Sequence, residues 1–107
     1  MKRVLSLLSI SALFTTCSKA PNACFTFYPN NIKAGDIVTF NAYCSKNASY
    51  FEWNFGDASA DTNTVNRTVS HKYSASGTYI VKLNVKRKDG VTLKKGNPET
   101  SLSLKVQ

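Results

Sequence analysis

The amino-acid sequence predicts an all-β protein, a sandwich of two antiparallel sheets built from about seven short strands. Three observations indicate this class. Apolar and polar residues alternate with a period of two in several short segments. Turn-forming Pro, Asn, Asp and Gly residues separate those segments, and no segment beyond the first sixteen residues repeats with the period of a helix. The length of 107 residues, 42% of them hydrophobic, is sufficient for one domain with a packed core.

The first sixteen residues are excluded from the fold because they are typical of an export signal. Residues 1–3 are basic, and residues 4–14 form an apolar run that is too short to span a bilayer. Two processing sites are compatible with the residues after this run. Residues 18–20 suit ordinary signal peptidase but would put Pro21 first in the mature chain, whereas residues 13–17 are similar to the lipobox of bacterial lipoproteins.

We favour the lipobox, although it departs from the usual pattern at Phe14 and Thr16. The predicted organisation is a signal peptide at residues 1–16, a short tether at residues 17–22 that begins with lipidated Cys17, and the sandwich domain at residues 23–107. This predicts a protein anchored by lipid to the bacterial cell envelope, with the outer membrane as the first expectation. The alternative is a freely secreted protein with a spare cysteine.

The chain contains three cysteines, an odd number for an exported protein. If Cys17 carries lipid, Cys24 and Cys44 remain as a pair, and an oxidising compartment favours a disulfide between them. A metal site is the alternative interpretation, but two cysteines and the single His of the chain fall short of four well-spaced ligands. The sequence therefore predicts a disulfide, with no metal centre and no cofactor.

Five alternating segments account for most of the predicted strands. Their apolar positions, which we expect to face the core, are Phe25 and Phe27; Val38, Phe40 and Ala42; Phe51, Trp53 and Phe55; Tyr79, Val81, Leu83 and Val85; and Leu102, Leu104 and Val106. Asp89-Gly90 lies between the last two segments and favours a tight hairpin turn, because Gly tolerates positive φ.

Three motifs, in order and at matching spacing, resemble the PKD (polycystic kidney disease) domain. They are similar to its W-D-F-G-D, H-x-Y and G-x-Y motifs, the last leading into a V-x-L-x-V strand, and the resemblance runs from about residue 23 to residue 106. The sequence departs from the family at Asn54, where Asp is usual, and at Ala58, where Gly is usual. The residues that carry the resemblance are Trp53, Phe55, Gly56, Asp57, His71, Tyr73, Gly77 and Tyr79.

The resemblance implies an immunoglobulin-like sandwich with Trp53 at the centre of its core, rather than an exposed aromatic platform for sugars. Gly56 then allows a sharp exit from the strand, and Asp57 can accept backbone N–H bonds in the turn. The resemblance also implies a spacer, or a module for protein–protein or protein–carbohydrate interaction.

We expect no catalytic activity. His71 has Asp57 and Asp61 near it in sequence, but no G-x-S-x-G elbow or paired catalytic signature accompanies it, and the resemblance implies a structural His. Calcium binding by the segment between the two aspartates is an alternative, although the EF-hand pattern is absent.

The net charge of +8 is concentrated toward the last predicted hairpin. The lysines there protect a sheet edge from aggregation in one interpretation, and contact lipid A phosphates, an acidic polysaccharide or an acidic protein in the other. Nucleic acid is disfavoured as a partner by the export signal. The basic residues are Lys82, Lys86, Arg87, Lys88, Lys94 and Lys95.

The sequence therefore predicts a non-catalytic envelope module that mediates protein–protein or structural interactions at the membrane surface. The alternative is a carbohydrate-binding accessory domain for glycans or anionic polysaccharide, in which exposed tyrosines stack on sugar rings. The candidates for that role are Tyr28, Tyr43, Tyr50 and Tyr73. The envelope protein or glycan that is bound, and the oligomeric state, are not predicted.

Overall fold

The computed structural model describes residues 20–87 and 96–107. Within these ranges the chain forms seven strands in two antiparallel sheets, which confirms the predicted all-β sandwich. The order is β1-β2-β5 in the three-stranded sheet and β4-β3-β6-β7 in the four-stranded sheet. The strands are β1 (Thr26–Tyr28), β2 (Ile37–Asn41), β3 (Tyr50–Asn54), β4 (Thr62–Thr64), β5 (Thr68–Lys72), β6 (Gly77–Lys86) and β7 (Glu99–Val106).

Several predictions fall on residues outside these ranges, namely the signal peptide, Cys17, the Asp89-Gly90 turn and the lysines at positions 88, 94 and 95. No helix in the described ranges has the length and apolar composition needed to cross a membrane.

Strand register places the apolar positions of neighbouring strands on the same face. Trp53 of β3 lies opposite Leu83 of β6, and Phe51 lies opposite Val85. Because side chains alternate between faces along a strand, this register directs the apolar residues of both strands toward the other sheet. The polar residues between them therefore form the outer surface of the four-stranded sheet.

The core between the sheets is built around Trp53, which is fully buried. Its ring lies 5.1 Å from Phe25 and 5.6 Å from Phe40, centroid to centroid, so aromatic residues of both sheets meet at this point. The predicted inward positions are buried with three exceptions. Phe27 and Tyr79 are partly buried, and Leu102 is 38% exposed because β7 is an edge strand with a neighbour on one side only.

Two strands had no sequence segment assigned to them, β4 and β5. Both are edge strands. β4 contains only Thr and Asn, and β5 has a single apolar residue, Val69, which alternates with exposed polar residues and is partly buried. With at most one apolar residue in each strand, the period of two gives little signal for either of them.

The predicted disulfide joins Cys24 and Cys44, whose Cα atoms are 5.3 Å apart. Ser45 reinforces the bridge, because its hydroxyl oxygen accepts from the Cys24 N–H and its O–H donates to the Cys24 carbonyl. Pro21 is fully buried, and the backbone of Asn22 pairs with Lys46. The packed domain thus extends to residues 21 and 22, which were expected to form part of the tether.

Candidate functional site

The motif residues meet at the end of β3, where they connect the two sheets. Phe55 comes directly after β3, and its ring stacks on that of His71 in β5 with centroids 4.1 Å apart. The Tyr73 hydroxyl, just beyond β5, donates to the Phe55 carbonyl at 2.8 Å. Because β3 and β5 belong to different sheets, these contacts hold the sheets together at this end of the sandwich.

Asp57 is the polar centre of this cluster. Its Oδ2 lies 2.7 Å from Nε2 of His71, and its Oδ1 accepts from both the backbone N–H and the hydroxyl of Ser59. Burial opposes ionisation of Asp57, but the hydrogen bonds from Ser59 and His71 outweigh burial and lower its pKa to about 2. The carboxylate is therefore stabilised as an anion that bridges the turn after β3 to β5.

The arrangement of these groups is not that of a catalytic triad. In a triad the imidazole lies between the nucleophile and the carboxylate, whereas here Asp57 lies between Ser59 and His71. The Ser59 hydroxyl donates to the carboxylate, so the imidazole does not activate it. The cluster is suited to holding a turn.

The second carboxylate of this turn, that of Asp61, bonds to a neighbouring amide. Asp61 Oδ1 accepts from Asn54 Nδ2 at 2.9 Å. Within residues 20–87 and 96–107, no three His, Cys, Asp or Glu side chains come together as potential metal ligands. Calcium binding between Asp57 and Asp61 thus remains a sequence-based alternative, with no third His, Cys, Asp or Glu side chain grouped with these two among the described residues.

The two departures from the family pattern have different consequences. Asn54 keeps an acceptor in place of the usual Asp, since its Oδ1 accepts from the Gly56 N–H at 2.9 Å. Gly56 has φ +79°, and a Cβ there would overlap the backbone of Ile80. Ala58 has φ 68°, in the left-handed region that favours the Gly of the family pattern.

We therefore expect Ala58→Gly to raise the free energy of unfolding by about 0.5–1 kcal/mol, because relief of the left-handed strain exceeds the added entropy of the unfolded chain. Urea denaturation measures the change. Ala60→Gly is the matched control, and we expect it to lower stability slightly, since Ala60 has no positive φ to relieve. A loss of stability in both variants would contradict the assigned backbone conformation.

The pKa of Asp57 predicts a loss of stability in acid. Because the pKa falls from its ordinary 3.8 to about 2 on folding, ionised Asp57 contributes stability at higher pH that is lost as the pH drops through this interval. The shift corresponds to about 2 kcal/mol. The free energy of unfolding should exceed that of Asp57→Asn by about this amount at about pH 5, and the difference should shrink toward about pH 2. A difference that does not change with pH would contradict the assignment.

The other two motif residues begin β6. Gly77 is the first residue of the strand. The Tyr79 ring lies 4.6 Å from the ring of Tyr73, and its hydroxyl donates to the Ala75 carbonyl at 2.7 Å. Tyr79 therefore extends the aromatic cluster and ties the loop before β6 to the strand.

A groove crosses the outer face of the four-stranded sheet. A cavity of about 530 Å³ lies over β3 and β4, and two smaller ones of about 200 and 210 Å³ continue over β6 and β7. Glu52 lines both of the first two, and Lys82 and Glu99 line both of the last two. We call this feature the outer groove; the outward side chains that line it are Tyr50, Glu52, Asn54, Asp61, Asn63, Val65, Lys82, Asn84, Lys86, Glu99 and Ser101.

The outer groove contains two members of the predicted basic patch, Lys82 and Lys86. Lys86 Nζ lies 3.0 Å from Glu52 Oε2, and Lys82 lines the same cavities as Glu99. These carboxylates offset the positive charge locally. The use of the basic patch by an anionic partner stays a prediction.

The four candidate stacking tyrosines differ in exposure. Tyr28 is 74% exposed, Tyr43 68% and Tyr50 40%. Tyr73 is fully buried, so its interpretation as a stacking ring is wrong. The hydrogen bond from its hydroxyl to Phe55 gives the reason, since Tyr73 completes the core at the end of β3.

Arg67 is a structural residue that no sequence motif indicates. Its guanidinium donates to the carbonyls of Ala42, Ser45 and Ala48, at 3.0–3.3 Å, and lies 5.1 Å from the Phe51 ring centroid. It thereby holds the segment between β2 and β3, which contains Cys44. No local signal distinguishes this residue among the 14 Lys and Arg of the chain.

Known proteins share both the motifs and the sandwich. The family model of the PKD domain matches residues 18–100. A search of curated protein sequences finds no match. A solved structure of carbohydrate-binding modules of promiscuous specificity from the β-sandwich superfamily matches with a TM-score of 0.71 and 32% identity, over 83% of this chain and 35% of that one. This chain therefore spans only about a third of that protein.

The PKD1 domain of Vibrio anguillarum Epp matches with a TM-score of 0.59 and 22% identity, over 83% of this chain and 95% of that domain. At this identity the match shows a shared fold. The family model covers most of the chain and includes all three motifs whose residues join the two sheets. The chain belongs to the PKD domain family.

Proposed function

We propose that this domain is a non-catalytic interaction module, held at the surface of the bacterial cell envelope by a lipid on Cys17. The observation that carries the proposal is that the polar side chains of the motif turn bond to one another. Asp57 accepts from Ser59 and pairs with His71. These groups support the fold, so binding falls to the surfaces of the sandwich. Membership of a family of interaction modules supports the same conclusion.

The point at which the chain enters the sandwich suits a tethered module. Asn47 Nδ2 donates to the Ala20 carbonyl at 3.1 Å, and the Ala23 N–H donates to the Asn97 carbonyl at 2.7 Å. Three peptide steps separate Cys17 from Ala20, a distance of no more than about 11 Å. A lipid on Cys17 would thus hold this end of the domain close to the membrane.

The opposite end would then project outward. β3 runs from Tyr50, beside the loop that holds Ala20, to Asn54, where the Asp57 cluster begins. The outer groove crosses β3 between these ends, on the side of the sandwich. Both the motif turn and the groove would therefore be accessible to partners.

The intact mass of protein purified from its native membrane tests the tether. We expect a chain that lacks residues 1–16 and carries a lipid-sized increment on Cys17. Cys17→Ser should leave the far-ultraviolet circular dichroism of the domain unchanged and release the protein from the membrane fraction. An unlipidated native protein would contradict the proposal and indicate a freely secreted domain.

A second candidate function is carbohydrate binding, and the outer groove specifically favours it. The groove has amide, carboxylate and ammonium groups beside a half-exposed aromatic ring, and the chain is 32% identical to part of a carbohydrate-binding-module structure. Direct titration of the purified protein with oligosaccharides tests this function.

A further inference from the structure

We infer that the outer groove binds an uncharged oligosaccharide across β3 and β6, with the Tyr50 ring as its stacking surface. This inference rests on the second function proposed above, carbohydrate binding. It assigns the ligand class and the site within the domain.

The dimensions of the groove suit a short glycan chain. The three cavities adjoin one another across four strands, from Val65 next to β4 to Ser101 in β7. Three strand spacings correspond to roughly 14 Å. The largest cavity, about 530 Å³, is within the usual range for small-molecule sites. A chain of linked sugars can therefore occupy the groove along its length.

The wide end of the groove provides an apolar surface. Tyr50 is 40% exposed and lines the largest cavity together with Val65, which is 65% exposed. An aromatic ring that is partly embedded in a sheet presents apolar area at little cost in side-chain entropy. The other two exposed tyrosines, Tyr28 and Tyr43, do not line this groove. Tyr50 is thus the ring positioned for stacking.

The rest of the groove provides hydrogen-bonding groups of both kinds. Asn63 and Asn84 carry amides that both donate and accept, while Glu52 and Glu99 accept only. Sugar hydroxyls also donate and accept, so this mixture complements them without requiring a charged ligand. The groups lie on paired strands, which hold them in fixed relative positions.

The balance of charge favours an uncharged ligand over an anionic one. Three carboxylates line the groove, on Glu52, Asp61 and Glu99, against the two ammonium groups of Lys82 and Lys86. Glu52 and Lys86 already form an ion pair at 3.0 Å. An acidic polysaccharide would meet as much repulsion as attraction here, because opposite charges at close range offset each other.

The test is titration calorimetry of the purified protein with neutral hexasaccharides of β-1,4-linked glucose, xylose, mannose and N-acetylglucosamine. We expect at least one to bind with a Kd below about 1 mM, and Tyr50→Ala to weaken that binding about tenfold or more. Asn63→Ala, at an exposed position, is a second variant with the same expected direction. Tyr28→Ala is the matched control on the other sheet and should bind as the unaltered protein does.

Three other outcomes would overturn, respectively, the assigned site, the ligand class, and carbohydrate binding itself. Binding that is weakened by Tyr28→Ala and unaffected by Tyr50→Ala and Asn63→Ala would remove the site but leave carbohydrate binding in place. Binding restricted to an acidic polysaccharide such as polygalacturonate, and lost on adding salt, would replace the ligand class. No binding of any of the hexasaccharides at about 5 mM, and none of polygalacturonate, would overturn both the site and the second function, while the lipid tether would be unaffected.

Discussion

Replacing Trp53 by Ala is expected to lower the free energy of unfolding by about 3–5 kcal/mol, enough to remove much of the stability of a domain this size. Trp53 is fully buried, and its ring contacts those of Phe25, Phe40 and Phe55 with centroids 5.1–6.3 Å apart. Truncation would leave a cavity between two sheets that are each held by their own hydrogen bonds. The surrounding rings cannot close such a cavity without shifting a strand.

Urea denaturation followed by circular dichroism measures this change. Ile37→Ala is a suitable control, because Ile37 is 62% exposed and its truncation should change the free energy by less than about 1 kcal/mol. Trp53→Phe should cost less than Trp53→Ala. The indole Nε1 has no hydrogen-bond partner among the described residues, so Phe removes a buried unsatisfied donor while keeping an aromatic ring. Equal losses for Trp53→Ala and Ile37→Ala would contradict the assigned core.

The central strands could be predicted from the sequence because burial imposes a period of two on them. In β2, β3 and β6 every second residue meets the opposite sheet, so Phe40, Trp53 and Leu83 each fall in an alternating run. The edge strands β4 and β5 bury less: β4 contains only Thr and Asn, and Val69 is the one apolar residue of β5. Leu102 shows that an apolar residue at an inward position of an edge strand can remain partly exposed.

The site could be predicted only where one short segment forms it. The turn after β3 was expected from Gly56 and Asp57, which lie next to each other. The contact of Asp57 with His71, 14 residues later, depends on the register of β5 against β2. The outer groove takes side chains from four strands, and Arg67 bonds to carbonyls 19 to 25 residues away. No fixed sequence spacing predicts contacts of this kind, because the pairing of distant strands brings the residues together.

Removing the bridge between Cys24 and Cys44 is the second large effect that we expect. The disulfide closes a loop with a sequence separation of 20 residues, so its loss should lower the free energy of unfolding by about 3 kcal/mol through the added freedom of the unfolded chain. Unfolding of the double variant Cys24→Ser, Cys44→Ser, compared with the oxidised protein, measures this. Dithiothreitol should reproduce the loss in the unaltered protein and have no effect on the variant.

The folded structure should persist when this disulfide is reduced, because polar contacts also hold both of its cysteines in place. Ser45 bonds to both backbone groups of Cys24, and Arg67 holds three carbonyls of the segment that contains Cys44. The reduced protein should therefore keep its circular dichroism spectrum at low temperature while unfolding at a lower urea concentration. If reduction instead disorders the domain without denaturant, these polar contacts depend on the disulfide, and the end of the sandwich that contains Cys24 and Cys44 would require oxidation in order to fold.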